Sequence, residues 1–447
     1  MTDPETPRSS GAYAWYVAIV LTLANSFAFV DRQVLALLVQ PIKSDLHISD
    51  TTISLLHGFS FSLFYVLIGL PMARFADRSN RRNIIVGSIV VWSFMTMLCG
   101  VARSASLLFL ARVGVGAGEA GLTPSAQSIF ADYFTKDKLP IALGIFSMGI
   151  YLGNGLALIL GGYVIFELTK MVVIDLPVVG LVRPWQATFF IVGAPGMLLG
   201  LLALTIREPK RRGVVGQAVT MPLSEMWAHV HASLGSYVGI ILGLSLMILV
   251  GQGSAAWIPA FFARKFNWGT SEIGLNYGLV MLLSGTAGTF VGGYTASILR
   301  RRGLVRANLL AATFGFVVLI PLTIAFPLMP TGQSALVTIA FMVFFAGFPF
   351  GGGFAALQEI TPNRMRAQIA ACYMLGVNLI GAGIGPTAIA LVTDRGFGDP
   401  QALYKSIAIV AGVASPLALL CIALALKRHP ASLARLEAAE RAEMTHA

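Results

Sequence analysis

Apolar blocks long enough to cross a bilayer recur from one end of this chain to the other, and they constrain its fold most. About 20 apolar residues in a helix span the ~30 Å hydrocarbon core of a membrane, so each block predicts one transmembrane helix. The chain is 56% hydrophobic and 11% charged, whereas soluble domains carry about 25% charged residues. We predict an all-α integral membrane protein with twelve spans, at residues 14–39, 52–73, 83–102, 106–130, 139–164, 185–206, 235–259, 272–299, 307–327, 335–357, 367–392 and 406–426.

The basic residues alternate between the two sides of these predicted spans. Of 31 Lys and Arg residues, 21 fall on the side that holds both termini, 8 on the other side, and Arg32 and Arg112 inside spans. Because cytoplasmic loops carry the basic excess, we expect both termini in the cytoplasm and a multi-pass protein of the cell inner membrane. The net charge of +11 therefore reflects topology, and we expect no nucleic-acid partner.

Two charges lie on one face of the fourth predicted span, at Arg112 and Glu119. Seven residues are almost two helical turns, so the two side chains share a stripe with about 10 Å between them along the axis. The glycines between them allow another helix to approach closely. Charges within a membrane span are costly and mark functional sites, so this stripe is the first candidate for a site.

The first predicted span adds an acid and a base, Asp31 and Arg32. Counted from Ala14, Asp31 lies about 25 Å along the helix, while Arg112 lies about 9 Å below the outer end of the fourth span. This match in depth predicts an ion-pair cluster between spans one and four, with Glu119 nearer the midplane and Arg112 as its switching partner. Two alternatives stay open: the Asp31–Arg32 pair is solvated at the interface, or the cluster only pins the two spans together.

The loop after the second span reads Ala-Arg-Phe-Ala-Asp-Arg-Ser-Asn-Arg-Arg over residues 73–82. It resembles the Gly-x-x-x-Asp-Arg-x-Gly-Arg-Arg signature of the major facilitator superfamily, with Ala73 and Asn80 in place of the glycines. A plain positive-inside loop is the simpler interpretation of the same residues. The resemblance implies that Asp77 faces the N-terminal end of span eleven and that Arg81 pairs with Asp132. The predicted cytoplasmic gate consists of Asp77, Arg78, Arg81, Asp132, Glu359 and Arg366.

The chain also repeats itself at an offset of 227 residues, which relates Asp132 to Glu359 and Gly149 to Gly376. Two parallel halves of six spans are the superfamily's layout, with the substrate site at the midplane between them. We therefore predict an N-terminal half at 1–206, a linker with a short interfacial helix at 207–234, a C-terminal half at 235–426 and a cytoplasmic tail at 427–447. The same offset places Ile339 and Ala346 opposite Arg112 and Glu119, so the buried charges belong to the first half alone.

Three smaller features complete the prediction of structure. Two β-rich runs around a turn within residues 171–182 predict an outer hairpin. Pro349 and the glycines after it predict a kink or loosening of span ten, either as a gate or as an ordinary irregularity. His229 and His231 lie off the apolar face of the predicted linker helix, so we expect them to be solvated.

Several motifs together resemble the spinster family within the superfamily. They are residues 29–32 (Phe-Val-Asp-Arg), 76–82 (Ala-Asp-Arg-Ser-Asn-Arg-Arg), 116–120 (Gly-Ala-Gly-Glu-Ala), 129–134 (Ile-Phe-Ala-Asp-Tyr-Phe) and 207–209 (Arg-Glu-Pro). The chain is identified as a bacterial-type member. Anion–cation symporters of the same superfamily, which move sugar acids and other carboxylates, share similar motifs in spans one and four.

The spinster resemblance implies a proton-coupled transporter, without enzyme activity, for a single-tailed anionic or zwitterionic lipid such as a lysophospholipid or sphingosine-1-phosphate. Asp31 and Glu119 are then the protonatable groups, and Arg32 and Arg112 bind the head group or switch ion-pair partners. We expect a monomer in the bilayer, with no cofactor or metal and with a proton gradient as its energy source. The alternatives are a proton symporter of sugar acids or other organic anions, and a passive lipid facilitator or sensor.

Overall fold

The computed structural model describes residues 11–135, 138–171, 173–176, 179–209, 223–302, 304, 307–362 and 365–446. Its α-helices are Ala12–Leu37, Val39–Leu46, Asp50–Ser54, Ser60–Arg78, Arg81–Cys99, Ala105–Glu119, Leu122–Tyr133, Leu139–Leu168, Pro184–Ala203, Leu223–Ala232, Leu234–Phe266, Thr270–Val280, Thr286–Arg301, Ala307–Ala325, Gly332–Glu359, Arg366–Gly376, Gly385–Leu391 and Leu403–His446.

Within the described residues, twelve helical stretches are long and apolar enough to cross a membrane, which confirms the predicted number. Numbered in chain order as spans 1 to 12, they are Ala12–Leu37, Asp50–Ala76, Arg81–Cys99, Ala105–Tyr133, Ile141–Leu168, Pro184–Ala203, Leu234–Phe266, Thr270–Leu299, Ala307–Leu328, Gly332–Glu359, Gln368–Phe397 and Pro400–Ala438. Below, the end of each span that the sequence predicts to be cytoplasmic is called its inner end.

Irregular helical turns occur in spans 2, 8 and 11, whereas the sequence predicted an irregularity in span 10. Span 10 is one continuous helix, Gly332–Glu359, so it is not broken at Pro349, and the predicted kink or loosening there stays a prediction. Wider π-helical turns instead occur in span 2 at Leu55–Phe59, in span 8 at Met281–Gly285, and in span 11 at Val377–Ile384 and Val392–Phe397. Such π-turns are often found at functional sites.

The hairpin predicted between spans 5 and 6 is confirmed. Strands β1 (Ile174–Leu176) and β2 (Gly180–Val182) pair antiparallel, with Asp175 opposite Leu181. Gly180 has a φ of +80°, which a glycine adopts without steric cost in a tight turn. The last span continues as a single helix from Leu403 to His446, through the stretch predicted as a separate polar tail.

The chain forms two compact units, which differ from the predicted halves at one place. The first unit comprises Met1–Val214 and Gly269–Gly278, and the second unit comprises Val215–Trp268 and Leu279–Ala447. The start of span 8 thus groups with the first unit. A Cβ atom at Gly274 would lie 2.3 Å from the Leu158 carbonyl oxygen of span 5, so only glycine permits this backbone contact.

Span 1 is held against span 5 within the first unit, and this packing positions the charges of span 1. A Cβ atom at Gly153 would lie 2.2 Å from the Ser26 carbonyl oxygen, and one at Gly149 would lie 2.9 Å from that of Thr22. Asn25 donates a hydrogen bond from Nδ2 to the Phe146 carbonyl oxygen at 2.9 Å. The glycines of span 5 are therefore positions of close helix packing.

Candidate functional site

A buried ion pair joins span 1 to span 4 in the first unit. Arg32 donates from Nε to Glu119 Oε2 at 2.8 Å, and its Nη2 contacts the same oxygen. The Glu119 side chain is 1% exposed and that of Arg32 is 27% exposed. Glu119 is the last residue of the helix Ala105–Glu119, so the carboxylate lies where span 4 is briefly interrupted.

Three aromatic rings surround the Arg32 guanidinium. Its central carbon lies 4.7 Å from the ring centre of Phe29, 4.2 Å from that of Phe61 and 5.3 Å from that of Tyr65. Ring faces attract a cation, and the attraction is stronger where water is excluded. Arg32 is therefore stabilised by rings on spans 1 and 2 as well as by the Glu119 carboxylate.

Arg112 makes a different contact from the one predicted. Its side chain is 1% exposed, and its Nε and Nη1 atoms find no hydrogen-bond acceptor among the described residues. Its central carbon lies 5.7 Å from the centre of the Phe61 ring. In this structure the partner of Glu119 is Arg32, which reaches across from span 1, and the predicted switch of Glu119 to Arg112 stays a prediction.

Asp31 is buried and hydrogen-bonded to a residue that the sequence did not single out. Thr96 on span 3 donates from Oγ1 to Asp31 Oδ2 at 2.9 Å. Arg32 and Arg112 lie close enough to attract this carboxylate electrostatically. The four predicted charges thus form one buried cluster, but the direct ion pair is Arg32–Glu119.

The glycines between Arg112 and Glu119 bring spans 2 and 3 against span 4. A Cβ atom at Gly116 would lie 2.6 Å from the Phe61 carbonyl oxygen, and one at Gly118 would lie 2.7 Å from the Trp92 nitrogen. Any larger residue would push these backbones apart. The close approach keeps Phe61 next to both arginines.

A second charge cluster lies at the inner end of the first unit, around Arg81. Arg81 is fully buried and pairs through Nη1 with Asp132 Oδ2 at 2.5 Å, as the sequence suggested. Its Nε also donates to Glu208 Oε1 at 2.7 Å, and Nη1 donates to the Ser128 hydroxyl at 2.9 Å. Glu208 was noted only as part of a motif, so its place as a second partner of Arg81 was missed.

The second unit contains a weaker counterpart of the Arg81 cluster. The offset of 227 residues relates Arg81 to Asn308 and Asp132 to Glu359, and Asn308 donates from Nδ2 to Glu359 Oε1 at 2.7 Å. His429 Nε2 lies 3.8 Å from Glu359 Oε2. The second unit has therefore kept the acid of this pair and replaced the arginine by an amide.

The remaining predicted gate residues do not join one cluster. Asp77 lies near the end of the helix Ser60–Arg78, and its side chain is outside the described set. The side chains of Arg78 and Arg366 are exposed, and Arg366 Nε donates to the Thr361 carbonyl oxygen at 3.3 Å. The gate remains a prediction for these residues.

His229 differs from its prediction, and metal binding finds no support. His229 Nε2 lies 3.3 Å from the Ile360 carbonyl oxygen, so this ring contacts the end of span 10 instead of being solvated. Among the residues that the structure describes, no group of three or more His, Cys, Asp or Glu side chains is arranged to hold a metal ion.

Comparisons with known proteins identify the family of this chain. A family model described as Major Facilitator Superfamily matches residues 21–386. An MFS-type efflux pump of Mycolicibacterium smegmatis is 26% identical over 93% of each chain. Spinster homolog 1 of Mus musculus is 27% identical over 86% of this chain and 74% of its own. A probable L-galactonate transporter of Escherichia coli is 22% identical over 84% of this chain and 82% of its own.

Solved structures also resemble most of this chain. One of them is the crystal structure of a bacterial homolog of the human lysosomal transporter spinster, in an inward-facing and unoccupied conformation. The two chains are 28% identical, with a TM-score of 0.74 over 94% of this chain and 97% of that one. This chain is therefore related to spinster proteins, and also to transporters of sugar acids.

Proposed function

Since this chain belongs to the Major Facilitator Superfamily, we propose that it is a proton-coupled secondary transporter of a single-tailed anionic or zwitterionic lipid. The observation that carries the proposal is the buried Arg32–Glu119 pair between spans 1 and 4. At the offset of 227 residues the positions of this pair are Pro259 and Ala346, so the second unit cannot repeat it. A charge pair that the fold itself required would recur in both halves.

The pair supplies a mechanism for coupling. A proton on Glu119 removes the charge that holds Arg32, and the released guanidinium then becomes available to an anionic head group. Binding of the head group in turn favours the released state of Arg32, so proton and substrate affinities are linked reciprocally. Asp31 is the second protonatable group, held by Thr96 in the same cluster.

Arg112 supports the choice of an anionic head group. Two of its donor atoms lack an acceptor within the described part of the chain, and its side chain is almost fully buried. A buried guanidinium gains most from a phosphate or carboxylate that accepts two hydrogen bonds in its plane. The lipid tail is favoured by the relationship to spinster proteins. It is also favoured because, within the described residues, no Asp, Glu, Lys or Arg of the second unit is buried.

Uptake by proteoliposomes tests the substrate class. With the outside acidified, wild-type protein should accumulate a labelled lysophospholipid against its gradient, and Glu119→Gln and Asp31→Asn should not. Glu167→Gln is the matched control, since Glu167 belongs to an exposed ion pair with Lys170. Uptake that proceeds only down the lipid gradient in wild-type protein would support the passive facilitator and contradict this proposal.

A proton symporter of sugar acids is the second candidate. It is favoured by the similarity to the probable L-galactonate transporter and by Arg112, whose free donors suit a carboxylate as well as a phosphate. A hexonate should compete with uptake under this alternative. Under the lipid proposal, a large excess of hexonate leaves lysolipid uptake unchanged.

The proposal also covers the membrane location, the oligomeric state, the energy source and the gate of the protein. The protein lies in the cell inner membrane as a monomer, with both termini in the cytoplasm. Its energy comes from the proton gradient and from no cofactor. We propose that Arg81, Asp132 and Glu208 act as a cytoplasmic gate of the first unit, and the gate roles of Asp77, Arg78, Glu359 and Arg366 stay predictions.

A further inference from the structure

A crevice of about 470 Å³ opens on the first unit near the inner ends of spans 2 and 3. Its walls are Met72 and Phe75 from span 2 and Gly87 and Val91 from span 3, with span 4 behind them. The crevice lies outside the Arg32–Glu119 cluster, and none of its lining residues belongs to that cluster.

The crevice has an apolar body and a polar mouth. Asn80 and Asn83 lie at its inner end, where span 3 begins, and Val91 lies eight residues further along. At 1.5 Å per residue, Asn83 and Val91 are about 12 Å apart along the helix axis. Phe75 is 55% exposed and Val91 is 44% exposed, so the apolar walls extend onto the outer surface of the spans.

Three arginines are the sequence neighbours of residues that line the mouth of the crevice. Arg74 and Arg78 are exposed and directly precede Phe75 and Ser79, two lining residues of span 2. Arg82 donates from Nε and Nη2 to Asn83 Oδ1 at 3.1 and 3.0 Å, at the start of span 3. Residues 74–82 contain four arginines and one aspartate. Of these arginines, Arg81 is the one that forms the described ion pairs with Asp132 and Glu208.

We propose that this crevice binds an intact anionic phospholipid of the surrounding bilayer. One acyl chain lies between Phe75 and Val91, and the phosphate lies at the mouth beside Arg74, Arg78 and Arg82. A soluble anion would use the arginines but leave the apolar walls unfilled, whereas a bilayer lipid satisfies both. Basic residues next to membrane spans attract anionic lipids by about 1 kcal/mol each, or roughly fivefold per arginine.

Gly87 provides a direct test because a side chain there would enter the crevice. A Cβ atom at Gly87 meets no other atom within 4 Å, so Gly87→Leu should fill the space without displacing a neighbour. Gly412 of span 12 is equally open, also with nothing within 4 Å, and Gly412→Leu is the matched control. Arg112→Gln is a second control, since it changes the proposed cargo site and leaves the crevice unchanged.

Native mass spectrometry of the full chain measures the retained lipid. With dioleoyl phosphatidylglycerol, Gly87→Leu should retain roughly fourfold less lipid than wild-type protein for each buried CH2 group of the acyl chain that it displaces, and Gly412→Leu and Arg112→Gln should match wild type. The exposed-arginine variant Arg74→Gln/Arg78→Gln tests the charge without depending on how Gly87→Leu folds. It should lower retention of phosphatidylglycerol by roughly 25-fold, at about fivefold for each of the two arginines, while Arg82 stays at the mouth.

Two results would overturn the proposal. One is equal retention of phosphatidylglycerol by wild-type protein and by a folded Gly87→Leu variant. The other is equal retention of phosphatidylglycerol and phosphatidylcholine by wild-type protein. Loss of retention in Arg112→Gln, with no loss in Gly87→Leu, would assign the bound lipid to the cargo site instead.

Discussion

Arg32 on span 1 and Glu119 on span 4 are joined by a 2.8 Å hydrogen bond from Nε to Oε2, with the carboxylate 1% exposed. Within the described residues, Glu119 Oε1 finds no donor, so Arg32 is the hydrogen-bonded partner of this buried charge. The link between the two spans therefore depends on the charge of Glu119.

Removing one member of the pair should destabilise the first unit more than removing both. Breaking a fully buried pair costs about 3–5 kcal/mol, and we expect less here because Arg32 is 27% exposed. A double-mutant cycle of Arg32→Gln and Glu119→Gln should give a coupling of roughly 1–3 kcal/mol in the free energy of unfolding. Denaturant titration in mixed micelles measures it, and additive single effects would show that the contact is energetically unimportant.

Thr96 should matter to stability only through its hydroxyl. Thr96→Val keeps the shape of the side chain but leaves Asp31 without its 2.9 Å hydrogen bond, at a cost of about 1–3 kcal/mol in the free energy of unfolding. Thr96→Ser retains the hydroxyl and should be several times less destabilising. Equal losses in the two variants would mean that packing of the methyl group, and not the hydrogen bond to Asp31, explains the effect.

Arg81 should be the most sensitive arginine at the inner end of the first unit. Arg81→Gln leaves the carboxylates of Asp132 and Glu208 without their shared cation, at a cost of about 3–5 kcal/mol. Arg366→Gln is the control, since that side chain is exposed and a surface change is usually within about 0.5 kcal/mol. Thermal unfolding of both variants checks the difference, and a similar loss in the two would contradict this account of the cluster.

Span 5 offers a matched pair of glycines. Gly153→Ala would place a methyl group 2.2 Å from the Ser26 carbonyl oxygen and should push span 1 away, costing about 1–3 kcal/mol. Gly144→Ala meets nothing within 4 Å and should be neutral or slightly stabilising, because alanine is the better helix former. If both variants unfold at the wild-type temperature, spans 1 and 5 are less tightly packed than described.

The fold was predictable from the sequence because its signals are local. Each span is an apolar block of sufficient length, and the hairpin is two β-rich runs around a turn at Gly180. The continuity of the span 10 helix through Pro349 was not predictable, because neighbouring groups can satisfy the backbone that a proline frees in a membrane helix. The π-turns of spans 2, 8 and 11 carry no sequence signal that we can identify.

The members of the charge cluster were predictable, but their pairing was not. Counting residues along a helix gives the depth of Asp31, Arg32 and Arg112, whereas the partner of each depends on how the helices are rotated. Thr96 was missed because one threonine in an apolar span is common. Asn308 could have been found, since the offset of 227 that relates Asp132 to Glu359 also relates Arg81 to Asn308.

The central claim is that Glu119 carries the proton that is exchanged with substrate binding. Proteoliposomes that contain a pH-sensitive dye and start without a pH gradient measure the proton flux that follows the addition of a labelled lysophospholipid. Wild-type protein should move protons with the lipid, and Glu119→Gln should exchange lipid across the membrane without any proton flux. Lysolipid-driven proton flux of wild-type size in Glu119→Gln would contradict the account.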